Sequence, residues 1–313
     1  MSKHQLPTGK HSPGFLVIGA WTLVIQSPRR TAKMPTVDSH HHLWQLSQPF
    51  NYRWLDAPLL APIKRDFMPL DLAPLLKGTG IEKSVVVQTQ HDLAENRWAL
   101  AQAEQNDFIA GVVGWVDLTS PDCERQLLEF KDQPKFVGVR HVTQDEPDDN
   151  FIIREDVLRG LAVLEKHAVP FDLLFYARHL RHAPAVAARL PNLKLVLDHC
   201  SKPRIKHGEI DQWKRELAAA AKFPNLYCKI SGLITEADWN IWRIADLKPY
   251  VDHAIECFGP QRCMFGSDWP VCLLAGSYER WKGAADDLFS QYSAAERGML
   301  KGQTAMEFYG IRA

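Results

Sequence analysis

An excess of charge of either sign is missing from this chain. Its 313 residues carry 37 Lys and Arg against 37 Asp and Glu. No basic excess points to nucleic acid, and no block of like charge suggests an interaction tail. Cysteine is sparse and unpatterned. Cys123, Cys200, Cys228, Cys257, Cys263 and Cys272 form no CxxC pair, which excludes a disulfide framework. They are expected to be buried free thiols of a reducing compartment, placing the protein in the cytoplasm. Long apolar runs are absent too. Residues 14–25 are apolar, between Lys3 and Lys10 on one side and Arg29 and Arg30 on the other. That run is too short to span a bilayer and lacks the small-residue cleavage site of a signal peptide. Residues 1–35 are therefore read as a flexible N-terminal extension. There is no short-period repeat and no low-complexity linker.

What is present is ordinary globular composition, 46% hydrophobic and 24% charged, with a strong alternation of patterns. Strand-like runs occur at 36–38, 84–88, 110–116, 136–140, 170–174, 193–198, 225–230 and 263–267. Between them, segments with helical periodicity cover 95–106, 121–131, 155–167, 179–190, 211–223, 245–258, 278–289 and 293–309. Short strands alternating with helices predict βαβ units and a parallel sheet. Eight such units fit a single-domain α/β fold, a (β/α)8 TIM barrel over residues 36–313. The competing doubly wound sheet would place a glycine-rich turn after its first strand. That position holds Asp38-Ser39-His40-His41-His42 instead. Residues 44–74 read as a long loop-like insert whose aromatics and prolines favour a packed lid.

Residues two apart on a strand share a face, so His40 and His42 can aim both imidazoles into one pocket. Two converging imidazoles suit a divalent metal or an anionic transition state. In a barrel the active site lies at the strand C-termini, and here those ends are polar. They supply His40 and His42, Gln88 with Gln90 and His91 beyond it, Trp115 and Asp117, Arg140 and His141, Asp172, Asp198 and His199, Lys229 and Ser231, and Asp268. Plainer roles stand beside the chemical ones. Asp38 can hydrogen-bond within its turn, Asp198 can orient a ring nitrogen, and Arg140 can pair with a buried carboxylate. His141 can be a satisfied core histidine, and Lys229 can run along the barrel wall.

Six ordered blocks carry a resemblance. They are Val37-Asp38-Ser39-His40-His41-His42-Leu43-Trp44; Gly138-Val139-Arg140-His141 with Gln144 to Asp148; Phe171-Asp172-Leu173; Leu197-Asp198-His199-Cys200-Ser201-Lys202-Pro203; Lys229-Ile230-Ser231-Gly232-Leu233; and Phe265-Gly266-Ser267-Asp268-Trp269-Pro270. The chain resembles the amidohydrolase superfamily, in its branch of sugar and dicarboxylate lactonases. The resemblance implies a hydrolase acting on a carboxylic ester, opening a sugar-acid lactone to its hydroxy acid in carbohydrate catabolism. The implied partner is that small molecule, bound by a monomer or homodimer, with no nucleic acid or membrane involved. Asp268 is expected to be the base that activates water, with His199, His40 and His42 as further catalytic groups. Gln88, Arg140, His141, Asp172, Lys229 and Trp44 are expected to bind substrate. The resemblance also implies that His40, His42, His199 and Asp268 could hold one zinc or other divalent ion, although the branch includes lactonases that work without metal. Arg140 stands where the superfamily's carboxylated lysine would sit, which disfavours a binuclear site. The alternative activity is that of a metal-dependent decarboxylase of the same superfamily.

Overall fold

A computed structural model describes residues 34–312. The expected extension therefore lies, through residue 33, outside the described residues. Among those residues eight strands run in parallel: β1 Val37–His41, β2 Lys83–Val87, β3 Ile109–Gly114, β4 Phe136–His141, β5 Phe171–Leu173, β6 Leu195–Leu197, β7 Leu226–Ile230 and β8 Cys263–Phe265. Each pairs with the next in chain order. The ring closes through the amide of His42 on the Trp269 carbonyl (2.6 Å) and that of Asp268 on the His40 carbonyl (2.8 Å). This is the expected (β/α)8 barrel. The strands are buried on both faces, so they read as short apolar runs rather than as alternating ones.

Helices cover the outside. They are α1 Pro69–Thr79, α2 Leu93–Glu104, α3 Cys123–Phe130, α4 Glu155–Lys166, α5 Ala183–Arg189 and α6 Asp211–Ala220. The series continues with α7 Leu233–Glu236, α8 Ile244–Phe258, α9 Tyr278–Phe289, α10 Ala294–Gly298 and α11 Thr304–Tyr309. In α4 the buried residues Val157, Leu161 and Leu164 recur at helical spacing and form one apolar stripe. None of the described helices is long and apolar enough to cross a membrane.

Two segments differ from the sequence reading. The supposed loop over 44–74 already enters α1 at Pro69. Proline at the first helical position costs nothing, since that N–H has no partner in any case. The helix predicted over 293–309 is broken by a π turn at Met299–Gln303, where Gly302 leaves helical geometry (φ 175°, ψ −47°). The break turns α11 across the end of the barrel opposite the strand C-termini. There Met306, Phe308 and Tyr309 pack against Val37, Val85, Val113, Val137, Val196 and Met264, and Lys194, just ahead of β6, donates to the carbonyls of Glu307 (2.9 Å) and Phe308 (3.1 Å).

The insert over the other end is packed, as a lid should be. Trp44 and Phe67 exchange backbone hydrogen bonds of 3.1 and 2.9 Å. The Trp44 ring meets Trp54 and Phe67 edge-on, with centroids 5.3 and 5.4 Å away.

Candidate active site

A cavity of about 550 Å³ opens at the C-terminal ends of the strands. Its floor includes His42, Arg140, His199 and Asp268, and its walls include Asn51 and Trp54 of the lid, Gln90, His91, Gln144 and Lys202. The histidines arrive as the strand pattern predicts. His40 and His42 approach to 3.2 Å between their Nε2 atoms, while His41 turns away and meets Ser84 Oγ at 3.0 Å. Asp268 Oδ1 lies 3.4 Å from His42 Nε2, 3.8 Å from His40 Nε2 and 3.7 Å from His199 Nε2.

Each ring is held from behind. His42 Nδ1 donates to the Val87 carbonyl at 2.8 Å. A carbonyl only accepts, so the His42 proton is on Nδ1 and its Nε2 lone pair faces the cavity. His199 Nδ1 meets Ser231 Oγ at 2.8 Å. His40 Nδ1 lies 3.1 Å from Lys229 Nζ and 3.3 Å from Asp198 Oδ1. Asp38 does its work in the turn. It accepts from the amides of Ser267 (2.7 Å) and His40 (3.2 Å) and from the Tyr278 hydroxyl (3.0 Å), tying β1 to the segment that carries Asp268.

Below the histidines runs a buried chain of charge. Lys229 Nζ donates to Asp172 Oδ2 at 2.6 Å and lies 3.0 Å from Asp198 Oδ1. Arg140 Nη1 reaches Asp198 Oδ2 at 3.2 Å and His40 Nε2 at 3.4 Å, and its Nη2 donates to the Gln88 carbonyl. The Tyr309 hydroxyl donates to Asp172 from α11 at 2.8 Å. Two arginine and lysine charges thus meet two carboxylates, with every one of the four side chains nearly solvent-free. Such burial is tolerable only when the charges are paired.

Electrostatics follow from burial. Desolvation pushes the His199 imidazole down to about 4. It lowers His40 strongly, and His42 as well, so all three rings are neutral near pH 7. Burial alone would raise Asp268. The surrounding imidazoles, His199 first, outweigh it and keep the carboxylate below its ordinary range.

The turn that delivers His199 is unusual. His199, Cys200, Ser201 and Lys202 all have left-handed backbone, with φ of 53°, 51°, 59° and 49°. Non-glycine residues in that region cost about 1–2 kcal/mol each. Space for the ring is made by Gly232, itself at φ +60°, where a Cβ would stand 2.6 Å from His199 Nδ1.

The donor atoms suit a divalent ion. Ligands about 2.0 Å from a tetrahedral zinc are roughly 3.3 Å apart, and the separations within His40, His42 and Asp268, 3.2, 3.4 and 3.8 Å, bracket that value, with His199 Nε2 beside them at 3.7 Å from Asp268. A second cluster, His91, His141 and Glu146, does not suit one. The Val142 amide donates to His91 Nε2 at 3.0 Å. The Trp115 indole donates to His141 Nδ1 at 3.2 Å, which leaves His141 Nε2 as the donor to Glu146 at 2.6 Å. His141 thus has no lone pair to spare.

The sequence-derived residues therefore separate into three layers. His42, His199, Asp268 and Arg140 reach the cavity, with His40 directly behind. Gln88, Asp172 and Lys229, expected to bind substrate, lie beneath and hold Arg140 and His40 instead. His141 sits behind His91, stacked on it at 4.0 Å. Trp44 is fully buried, its indole N–H on the Arg65 carbonyl, so it shapes the lid and does not face the cavity. Sequence reasoning passed over the positioning roles of Ser231, the Val87 carbonyl and Gly232. Asp198 was legible only as an orienter, which is the geometry it adopts. Its place one residue ahead of His199 was the available signal.

Comparison with known proteins places this geometry. The chain is 38% identical over 292 residues to an L-fucono-1,5-lactonase of Burkholderia multivorans, covering 88% of this chain and 96% of that protein. It is 37% identical over 279 residues to an L-fucono-1,5-lactonase of Burkholderia ambifaria, covering 88% and 95%. Among solved structures, an amidohydrolase of Burkholderia multivorans crystallised with bound zinc superposes with a TM-score of 0.83 at 36% identity, covering 89% of this chain and all of that one (100%). The family model described as amidohydrolase matches residues 37–311. With the barrel, the histidine pair and the strand-end aspartate in their places, the chain belongs to the amidohydrolase family.

Proposed function

We propose that this protein is a lactonase that hydrolyses a sugar-acid lactone, of the L-fucono-1,5-lactone type, to its open-chain hydroxy acid. The observation that carries this reading is the convergence of an ionised Asp268, neutral imidazoles and the Arg140 guanidinium on one cavity at the barrel mouth. The similarity to two L-fucono-1,5-lactonases across nearly the whole barrel supports it.

The roles follow from the geometry. Asp268 accepts a proton from water as the water oxygen bonds to the lactone carbonyl carbon. Arg140 faces the oxygen that gains negative charge, in a site where burial strengthens the interaction. Collapse of the tetrahedral intermediate breaks the bond to the ring oxygen. The proton taken by Asp268 returns to that oxygen, with His199 beside it to relay, leaving a free hydroxyl and a carboxylic acid that ionises by releasing its proton to solvent. Gln90, His91, Asn51 and Gln144 line the wall where sugar hydroxyls would bind. His40, His42, His199 and Asp268 would hold a divalent ion such as zinc, which when bound supplies carbonyl polarisation and a water of lowered pKa. The unpaired thiols, all buried except the partly exposed Cys257, support a cytoplasmic location.

Proton release on a panel of aldonolactones (L-fucono, L-rhamnono, D-arabinono and L-galactono), with and without a chelator, tests this. Turnover is expected on at least one lactone, and loss with chelator that zinc restores would assign the ion a role. No turnover on any lactone would sink the reading and favour decarboxylation of an unsaturated carboxylic acid.

A further inference from the structure

Lys202 closes the left-handed turn that begins at His199, and it is shared by two hollows. It lines the catalytic cavity and also a neighbouring groove of about 670 Å³ whose walls include Arg178, Arg204, Lys206, Glu236 and Asp238. The other cations of that groove are already engaged. Arg178 Nε donates to Asp149 at 2.8 Å, Arg204 Nη1 donates to Glu209 at 2.8 Å, and Lys206 Nζ lies 3.6 Å from Asp238. Lys202 is half-buried, and among the described residues no carboxylate lies within ion-pair distance of it. Its ammonium sits 5.4 Å from the centre of the Tyr176 ring. Glu236, across the same groove, is pushed up by burial, an effect that the charge of Lys202 opposes, and it makes no ion pair with that lysine.

We propose that Lys202 binds the carboxylate of the ring-opened hydroxy acid at the junction of the cavity and the groove, and so makes the site discriminate product from substrate. The inference rests on the lactonase reading. A lactone ester is neutral, and hydrolysis creates a full negative charge in a cavity floored by an aspartate. A compact, unengaged ammonium at the cavity's edge then has a partner only after the chemistry. It draws the acid away from Asp268 and toward the mouth of the groove. A charge-assisted hydrogen bond of this kind is strong enough to set binding.

The test measures equilibrium binding of sodium L-fuconate by calorimetry, and KM for L-fucono-1,5-lactone, in the wild type, Lys202→Met and Lys202→Arg. In Lys202→Met the ratio of the acid's Kd to the lactone's KM is expected to rise at least about tenfold, and Lys202→Arg is expected to keep it within about threefold, since the charge is retained. A ratio unchanged in Lys202→Met, or no binding of the acid by the wild type, overturns the proposal. The binding arm does not depend on turnover. A wild type that binds the acid through Lys202 yet hydrolyses no lactone would overturn the lactonase reading alone.

Discussion

At the scale of single residues, Asp268 bears the most weight. Asp268→Asn keeps the shape but removes the base, and with it a carboxylate that would hold the ion, so kcat is expected to fall by about 10²–10⁴ with the melting temperature little changed. Near-normal kcat would rule out the proposed mechanism. The acid–base groups also predict a pH profile. Burial holds His199 near 4, and the imidazoles hold Asp268 below the carboxylate range. Lowering the pH protonates neither until far below neutrality, so kcat should be flat from pH 8 down to about 5. An acid limb with a midpoint near 6.5, the ordinary histidine value, would contradict the neutral, desolvated rings. The convergence of His40, His42, His199 and Asp268 was readable because strand parity and position at a strand end are local properties. Lys229 and Asp172, expected to bind substrate, are fully buried and paired with each other. Their partners lie 57 residues apart in sequence, and only barrel closure brings them together beneath His40.

Among the elements, the turn after β6 and helix α11 make the sharpest predictions. Gly232→Ala puts a methyl where His199 Nδ1 stands, at a left-handed backbone position. The expected cost is about 1–3 kcal/mol of stability, with kcat reduced because His199 is displaced. An unchanged kcat, together with an unshifted denaturation midpoint, would mean that the ring is not held there. Tyr309→Phe removes the hydroxyl that α11 lends to Asp172. A loss of about 1–3 kcal/mol in urea denaturation is expected, with KM nearly constant because Tyr309 is at the far end of the barrel. Element reading from sequence located all eight strands, seven of them as short apolar runs and β1, which is mostly polar, from the apolar residue that opens it. It failed at α1, where Pro69 and Pro74 looked like loop markers although one starts the helix and the other is carried inside it. It also failed at the π turn of Met299–Gln303, because the reason for that break is the barrel floor and not the local pattern.

For the molecule as a whole, the barrel was legible from the count and alternation of its units, and the family match over residues 37–311 agrees with it. Residues 1–33 precede that match. Removing them is expected to leave kcat and melting temperature unchanged, and a drop in either would show that the barrel needs them. One feature of the interior reaches beyond the reaction. Arg140, Lys229, Asp172 and Asp198 balance to zero charge in a nearly solvent-free space, so removing any one strands a buried charge at a cost of about 3–5 kcal/mol. Marginally stable proteins tolerate few such steps. A descendant of this chain could change the ladder only through compensated pairs, such as Lys229 together with Asp172, whereas Asn51, Trp54 and Gln144 at the mouth can be exchanged one at a time. New substrate ranges would therefore arise by mutation of the lid and rim, on an interior that heredity can hardly alter.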